Sequence, residues 1–293
     1  MKFLDLFSGI GGFRLGLEQH GHECVGFCEI DKYARQSYKA IHNTEGELEY
    51  HDITTVTDDQ WRELKGTVDI IAGGFPCQAF SIAGKRQGFE DETRGTLFFE
   101  IMRAAKQIQP PILFLENVKG LLNHDKGRTF RIILQAMDEL GYDAEWQVLN
   151  SKDFGVPQNR ERVFIIGHLR GTGGREIFPI GGANEQNDSK VVGMLDLPGK
   201  DQYNRVYSID GLSPTLTTMQ GGRQEPKVMI DGHIRKLTPK ECWRLQGYPD
   251  WAFEKAKQMN SNSQLYKQAG NGVTVNVIAV IAEKLTESNP IQR

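Results

Sequence analysis

Cysteine is scarce in this chain of 293 residues: there are four, too few and too scattered for a disulfide framework, which points to a reduced compartment. No apolar run is long enough to span a bilayer. The opening MKFLDLFSGIGG lacks the apolar core and small-residue cleavage site of a secretion signal. Low-complexity tracts and internal repeats are missing too, which sets aside repeat arrays and disordered scaffolds. The formal net charge is only −3, so the total gives no reason to expect a polyanionic partner. What is there is an ordinary globular composition, 39% apolar and 25% charged, in a chain long enough for one large or two medium domains. The expected setting is cytoplasmic, without membrane contact, and the expected state is a monomer.

Charge is unevenly spread. From 45 to 69 there are eight acids and two bases; from 223 to 244 there are six bases and three acids. Two solvated faces would give the same counts. A polyanion, if bound, should meet the second region and avoid the first.

KFLDLF, HECVGFCEI, VDIIAGG and ILFLEN have the length and apolar content of strands. FRLGLEQHG, DKYARQSYKAIH, TLFFEIMRAAKQIQ and FRIILQAMDELG have helical periodicity. Their alternation predicts an α/β domain on a parallel sheet covered on both faces. AEWQVLN and RVFIIGHL follow each other closely and predict a pair at the sheet edge rather than another crossover. After Leu169 the sequence turns glycine-rich and polar, with short strand-like pieces RVYSI and KVMI. The predicted organisation is a first domain over 1–169, completed by 262–293, and a smaller irregular domain over 170–261. The apolar helix VTVNVIAVIAEKL returns to the first domain, because the second offers too little core to bury it.

FSGIGG is a glycine turn directly after the first strand, and Glu29 ends the second strand about 20 residues later, the layout in which an acid meets ribose hydroxyls. Gly9 and Gly11 fit the dinucleotide fingerprint, but its third glycine position holds Arg14. A turn with no pyrophosphate to hold tolerates this, so a ribose-bearing ligand without phosphate, such as S-adenosylmethionine, fits better than a dinucleotide. The plain alternative is a turn that only joins strand to helix. His20, His22, Cys24 and Cys28 match no common zinc spacing, and no metal is expected. Cys24 and Cys28 are expected on one face of a buried strand, and Cys242 in helix packing.

Cys77 differs from the other three. In GGFPCQAFS it follows an apolar strand that has already ended, at a loop tip, where a rigid sheet tends to present chemistry. Glu116 lies at the end of ILFLEN, and Arg160 and Arg162 lead into RVFIIG. In open parallel sheets, sites form beyond the carboxyl ends of strands. A thiol, a carboxyl and arginines near S-adenosylmethionine suggest methyl transfer to a poor carbon nucleophile.

DLFSGIGGFRLG, FPCQAFS, LENV, QNRERV, the RKLTPKECWRLQGYPD block and QAGNGVTVNV together resemble the ordered motif set of the DNA cytosine-5 methyltransferases of bacteria and phages. The resemblance covers nearly the whole chain, apart from a variable stretch between 168 and 234. It implies a Rossmann-like S-adenosylmethionine-dependent methyltransferase domain with a smaller target-recognition domain. The implied substrate is a specific sequence in double-stranded DNA, the implied setting restriction-modification at the nucleoid. By the same resemblance, Cys77 adds to C6 of a flipped cytosine so that C5 can take the methyl group. Glu116, protonated by virtue of burial, donates to N3; Arg162 holds O2 with Arg160 in support; the Phe75 carbonyl faces the amino group.

On the cofactor side the resemblance implies Phe7 and Ile30 around the adenine, with Gly9, Gly11 and Gly12 forming the turn. It places Glu29 on the ribose, Asp52 and Ile53 at the adenine edge, and Pro76, Leu97 and Asn271 along the methionine. Ile30 departs from the family's frequent tryptophan. The segment 78–95 resembles the family's mobile catalytic loop and would bring Ser81, Lys85 and Arg86 to DNA. Gln202 matches a side chain that fills the gap left by the flipped base; a second wedge position is taken by Ala83, a departure from the pattern. Thr215 and Leu216 match a threonine–leucine pair in which threonine meets a phosphate. Arg205, Gln220, Arg223 and Gln224 carry donors for guanine and adenine edges, for phosphates, or simply for water. Two alternatives share parts of this pattern. A transfer-RNA cytosine-5 methyltransferase carries a cysteine–phenylalanine–threonine signature near RLQGYPD, where this chain has WAFEKAKQ. A non-catalytic nucleic-acid-binding homologue would have no need of Cys77, Glu116 and Arg162.

Overall fold

The computed structural model describes residues 1–76, 97–182, 188–221 and 223–288. Cys77, Ser81, Ala83, Lys85 and Arg86 lie outside the described residues. The first part runs β1 (Lys2–Leu6), α1 (Gly12–Glu18), β2 (Glu23–Cys28), α2 (Lys32–Ile41), β3 (Leu48–Tyr50), α3 (Asp58–Arg62) and β4 (Ile70–Gly74). It continues with α4 (Leu97–Ile108), β5 (Ile112–Val118), α5 (Arg128–Glu139), β6 (Tyr142–Asn150) and β7 (Glu161–Leu169). These strands form one sheet in the order β3-β2-β1-β4-β5-β7-β6.

From β3 to β5 every pairing is parallel. β7 slots antiparallel between β5 and β6. The close pair expected from sequence is therefore present, with β7 inserted and β6 at the edge. This reversal matters for the site: it brings the first residues of β7 to the same sheet edge as the last residues of β1, β2, β4 and β5.

Alternation along the strands divides the core in two. Leu4, Leu6, Ile71, Leu113, Leu115 and Ile165 face α3, α4 and α5. Phe3, Ile70, Ala72, Phe114, Phe164 and Ile166 face the other way. There they pack with α1 and with the final helix, Val275–Ser288. Phe3 pairs with Cys24 but Leu4 pairs with Gly26, so Val25 is an extra residue in β2. Such a bulge reverses the face of everything beyond it. Cys24 consequently packs on one side of the sheet and Cys28 on the other, not on a shared face.

The second part contains β8 (Val191–Met194), α6 (Asp201–Asn204), β9 (Arg205–Ser208), β10 (Lys227–Ile230) and β11 (His233–Lys236). The strands form a small sheet in the order β11-β10-β9-β8. Lys227 is buried against it and donates to the carbonyls of Tyr203, Arg223 and Glu225 at 2.7, 2.8 and 3.1 Å. Next come α7 (Pro239–Arg244), α8 (Asp250–Met259), α9 (Asn262–Asn271) and α10 (Val275–Ser288). α7 starts in a capping box, Thr238 with Glu241, and proline at its first position. α8 packs along α2, and Trp243, Tyr248 and Phe253 share a cluster with Ile10, Leu15 and Ile41. The helical end of the 170–261 stretch thus leans on the first sheet's layer, and the small sheet is confined to 191–236. Among the described residues no helix is long and apolar enough to cross a membrane.

Gly16 lets α1 and α10 meet closely. A Cβ there would lie 2.6 Å from two Ile278 atoms and 2.9 Å from the Ala279 nitrogen. Gly16→Val is expected to cost about 1–3 kcal/mol through overpacking. Urea unfolding should show a lower midpoint with an unchanged slope.

Candidate active site

The turn after β1 is built from positive backbone angles. Phe7, Gly9 and Gly11 have φ of 54°, 56° and 85°, and the Gly11 N–H closes on the Ser8 carbonyl at 2.8 Å. Glycine suits two of these positions; Phe7 holds the strained one. Among the described residues a Cβ on Gly9 would meet nothing within 4 Å, so they leave the space over the turn open. Underneath, there is no room. A Cβ on Gly11 would sit 2.1 Å from His42 Nε2, and one on Gly12 would sit 2.5 Å from the Tyr248 hydroxyl. Burial lowers His42 to about 3, so its ring is neutral and the tautomer protonated at Nε2 donates to the Ile10 carbonyl at 3.3 Å.

Glu29 leaves the end of β2 with both carboxylate oxygens held by backbone. The Gly9 N–H donates at 2.8 Å and the Asp31 N–H at 2.7 Å. Burial raises its pKa, and those two N–H groups work against the rise. Each oxygen keeps a further lone pair for an outside donor such as a ribose hydroxyl. Beside it Ile30 is 70% exposed and Phe7 half-buried, two apolar walls near the open turn. Asp52 caps the 3-10 turn after β3 by accepting from Thr54, and Ile53 is buried below it. These features fit an adenosine. Arg14 plays no part there. Its guanidinium is buried and forks onto Glu47 at 2.7 and 2.8 Å, with Glu18 at 2.7 Å, tying α1 to the chain after α2.

The next strands carry the chemistry. Gly74 pairs with Glu116, and Val118 with Arg162. Glu116 and Arg162 are therefore diagonal neighbours on one face. The Arg162 Nε lies 2.9 Å from Glu116 Oε1, and both side chains are largely buried. A Cβ on Gly74 would come within 2.8 Å of Glu116 Oε2, so the bare glycine makes room for the carboxyl. Burial raises the Glu116 pKa, the direction expected from sequence, against the opposing charges of Arg162 and Arg160.

Asn117, which the sequence reading passed over, is buried and donates from Nδ2 to the Phe75 carbonyl at 2.8 Å. That carbonyl keeps one lone pair. A polar residue directly after Glu116 in an apolar strand was the available signal. Pro76 is exposed, Leu97 opens α4 half-buried, and Asn271 ends α9 exposed. Arg160 is not beside Glu116 as a hydrogen-bond partner. It is 3% exposed and donates to the carbonyls of Leu216, Gly270 and Gly272 at 3.4, 3.1 and 2.8 Å.

The described candidate DNA residues are scattered over the stretch from 202 to 224. Gln202 is exposed on α6, and Arg205 is exposed at the start of β9. Gln220 and Arg223 are exposed, and Gln224 accepts from Thr217 at 3.3 Å. Thr215 is exposed, but its hydroxyl donates to the Asn159 carbonyl at 2.6 Å and would have to turn away to meet a phosphate. The basic stretch is less cationic than its count. Arg235 pairs with Glu241, Lys236 with Glu225, Lys240 with Glu254, and Arg244 with Asp250. Two of those acids lie beyond the counted window.

A strand order that switches beside a glycine turn, with an acid closing the second strand, defines a nucleotide-binding α/β fold of the Rossmann-like methyltransferase kind. The family model for C-5 cytosine-specific DNA methylases matches residues 1–192 and 198–287. The chain is 38% identical to the type II methyltransferase M.HhaI of Haemophilus parahaemolyticus, over 98% of this chain and 95% of that one. It is 37% identical to the type II methyltransferase M.HpaII of Haemophilus parainfluenzae, covering 97% and 89%. Among solved structures, the S. pombe Dnmt2 methyltransferase superposes with a TM-score of 0.77 at 19% identity, covering 99% of this chain and 100% of that one. This chain therefore belongs to the C-5 cytosine-specific DNA methylases and is a DNA cytosine methyltransferase.

Proposed function

We propose that the protein transfers a methyl group from S-adenosylmethionine to C5 of a cytosine turned out of a specific duplex sequence, through a transient bond between Cys77 sulfur and C6. The observation that carries this reading is the buried Glu116–Arg162 pair, next to the stem that leads into Cys77 and two strands from the glycine turn.

Extruding the base costs a few kcal/mol, and Gln202 is the side chain proposed to fill the space it leaves. The Cys77 thiolate adds to C6, and the ring electrons shift toward C5. Glu116, protonated, donates to N3 and accepts from the amino group with its other oxygen, so charge does not build on the ring. Arg162 holds O2, and the free lone pair of the Phe75 carbonyl accepts from the amino group. Glu29 takes the ribose hydroxyls between the Phe7 and Ile30 walls, with Asp52 and Ile53 at the adenine edge and Pro76, Leu97 and Asn271 along the amino-acid end. When bound there, S-adenosylmethionine supplies an electrophilic methyl group. After transfer a base removes the C5 proton, the C6–sulfur bond breaks, and the 5,6 double bond returns with a free thiolate. Outside the described residues, Ser81, Lys85 and Arg86 are proposed to contact the DNA, with Arg205, Thr215, Gln220 and Arg223 on the recognition side.

The test is incubation with methyl-labelled S-adenosylmethionine and either duplex DNA or transfer RNA. Label is expected in the duplex alone, and bisulfite sequencing should place it at C5 within one sequence. Label confined to transfer RNA, or none in either, would defeat the reading.

A further inference from the structure

The proposed recognition segment does not stand apart from the proposed cofactor pocket. The segment at 213–218 lies along 157–160 and touches the turn at 270–272. Ser213 pairs with Gln158 in a parallel bridge, and the Ser213 N–H donates to the Pro157 carbonyl at 2.8 Å. Gly270 is in direct backbone contact with this segment: a Cβ there would fall 2.0 Å from the Thr217 oxygen and 2.8 Å from the Thr218 Cα. Arg160 then joins three pieces with one planar fork. Its Nη1 donates to Leu216, next to Thr215, and its Nη2 donates to Gly270 and Gly272, on either side of Asn271.

The choice of arginine here needs a reason. The guanidinium is buried; burial and the Arg162 cation work against its charge, and Glu116, which does not pair with it directly, offsets them only in part. Its hydrogen-bond acceptors are carbonyls, not a carboxylate, and its Nε has no partner among the described residues. A buried cation without a paired anion is costly. What the planar fork supplies is geometry: several acceptors from separate segments fixed at once.

We propose that Arg160 is a positioning residue that clamps the recognition segment to the cofactor-lining turn, so that target DNA and cofactor strengthen each other's binding through this junction. It rests on the reading of the function above. It replaces the role expected for Arg160 from sequence, support for Arg162 at the base. Coupling of this kind is reciprocal, so it is measurable from the cofactor side alone.

The experiment is calorimetric binding of S-adenosylhomocysteine to the full chain, with and without a duplex carrying the sequence identified by bisulfite sequencing. The wild type is expected to bind at least about tenfold tighter with the duplex, in the usual range of coupling between sites. Arg160→Lys keeps the charge but loses the fork, and Gly270→Ala keeps the arginine but wedges the segments apart. Both are expected to bring that ratio to about twofold or less, with affinity in the absence of DNA changed far less. A wild-type ratio near one, or an intact ratio in both variants, overturns the proposal. So does an Arg160→Lys protein with an intact ratio but lost turnover at saturation, which would place Arg160 on the substrate. If Arg160→Lys does not fold, Gly270→Ala decides alone; failure of both to fold marks a purely structural joint and also overturns it. A wild type that methylates no DNA defeats the underlying function instead.

Discussion

Cys77→Ser is expected to abolish trapping on a duplex containing 5-fluorocytosine and to reduce methyl transfer about a thousandfold or more. The fluorine cannot leave C5 as a proton does, so an enzyme that adds sulfur to C6 and then methylates C5 stays bonded to the base. A serine hydroxyl at the same place is a far weaker nucleophile at neutral pH, since even a free thiol is only a few per cent ionised there and still much more reactive. The measurement is a denaturing gel of protein with labelled duplex and cofactor, beside initial rates on ordinary DNA. Binding of S-adenosylhomocysteine should be unchanged, which separates loss of the sulfur from loss of the fold. An adduct that survives in the serine variant would assign the nucleophile elsewhere.

Glu116→Gln should lower kcat by about 10²–10⁴-fold, the usual worth of a positioned proton donor. Its pH signature is the sharper result. Burial raises the carboxyl above its ordinary value of 4.5, outweighing the cations of Arg162 and Arg160. In the proposed mechanism the protonated form is the active one, so kcat/KM should fall as pH rises through that raised value. The glutamine variant has no such proton to lose, and this alkaline limb should disappear from its profile. Stability carries the same sign: the folded chain holds the proton more tightly than the unfolded one, so this group's contribution is full below the unfolded pKa and fades as pH rises through the folded one. An unchanged limb in the variant would exclude Glu116 as its source.

Much of the sheet was legible because its signals are local. VDIIAGG and ILFLEN are short apolar runs between helices with strong periodicity, and they become β4 and β5. The apolar helix at 275–288 was expected to pack away from the irregular stretch, and it lies on the large sheet, whose core buries its apolar residues. What could not be read depends on distant pairing. One extra residue, Val25, leaves no trace in composition yet sends Cys24 and Cys28 to opposite sides. The cations of the 223–244 stretch look free until folding brings up Asp250 and Glu254. Arg160 and Arg162 sit two residues apart in one motif, and only the fold shows that they face different partners. His42 and Tyr248, which shape the glycine turn from below, come from far along the chain with no motif of their own.

The grip of Asn117 on the Phe75 carbonyl has a mechanical consequence. It ties Phe75 to the very strand that carries the acid, and Gly74 is already in register with Glu116. As far as Phe75, the approach to the proposed nucleophile is thus gauged against the proposed proton donor, like two jaws of a vice mounted on one bed. An insertion between positions 74 and 75 is expected to break that register and carry the Phe75 carbonyl away from Asn117.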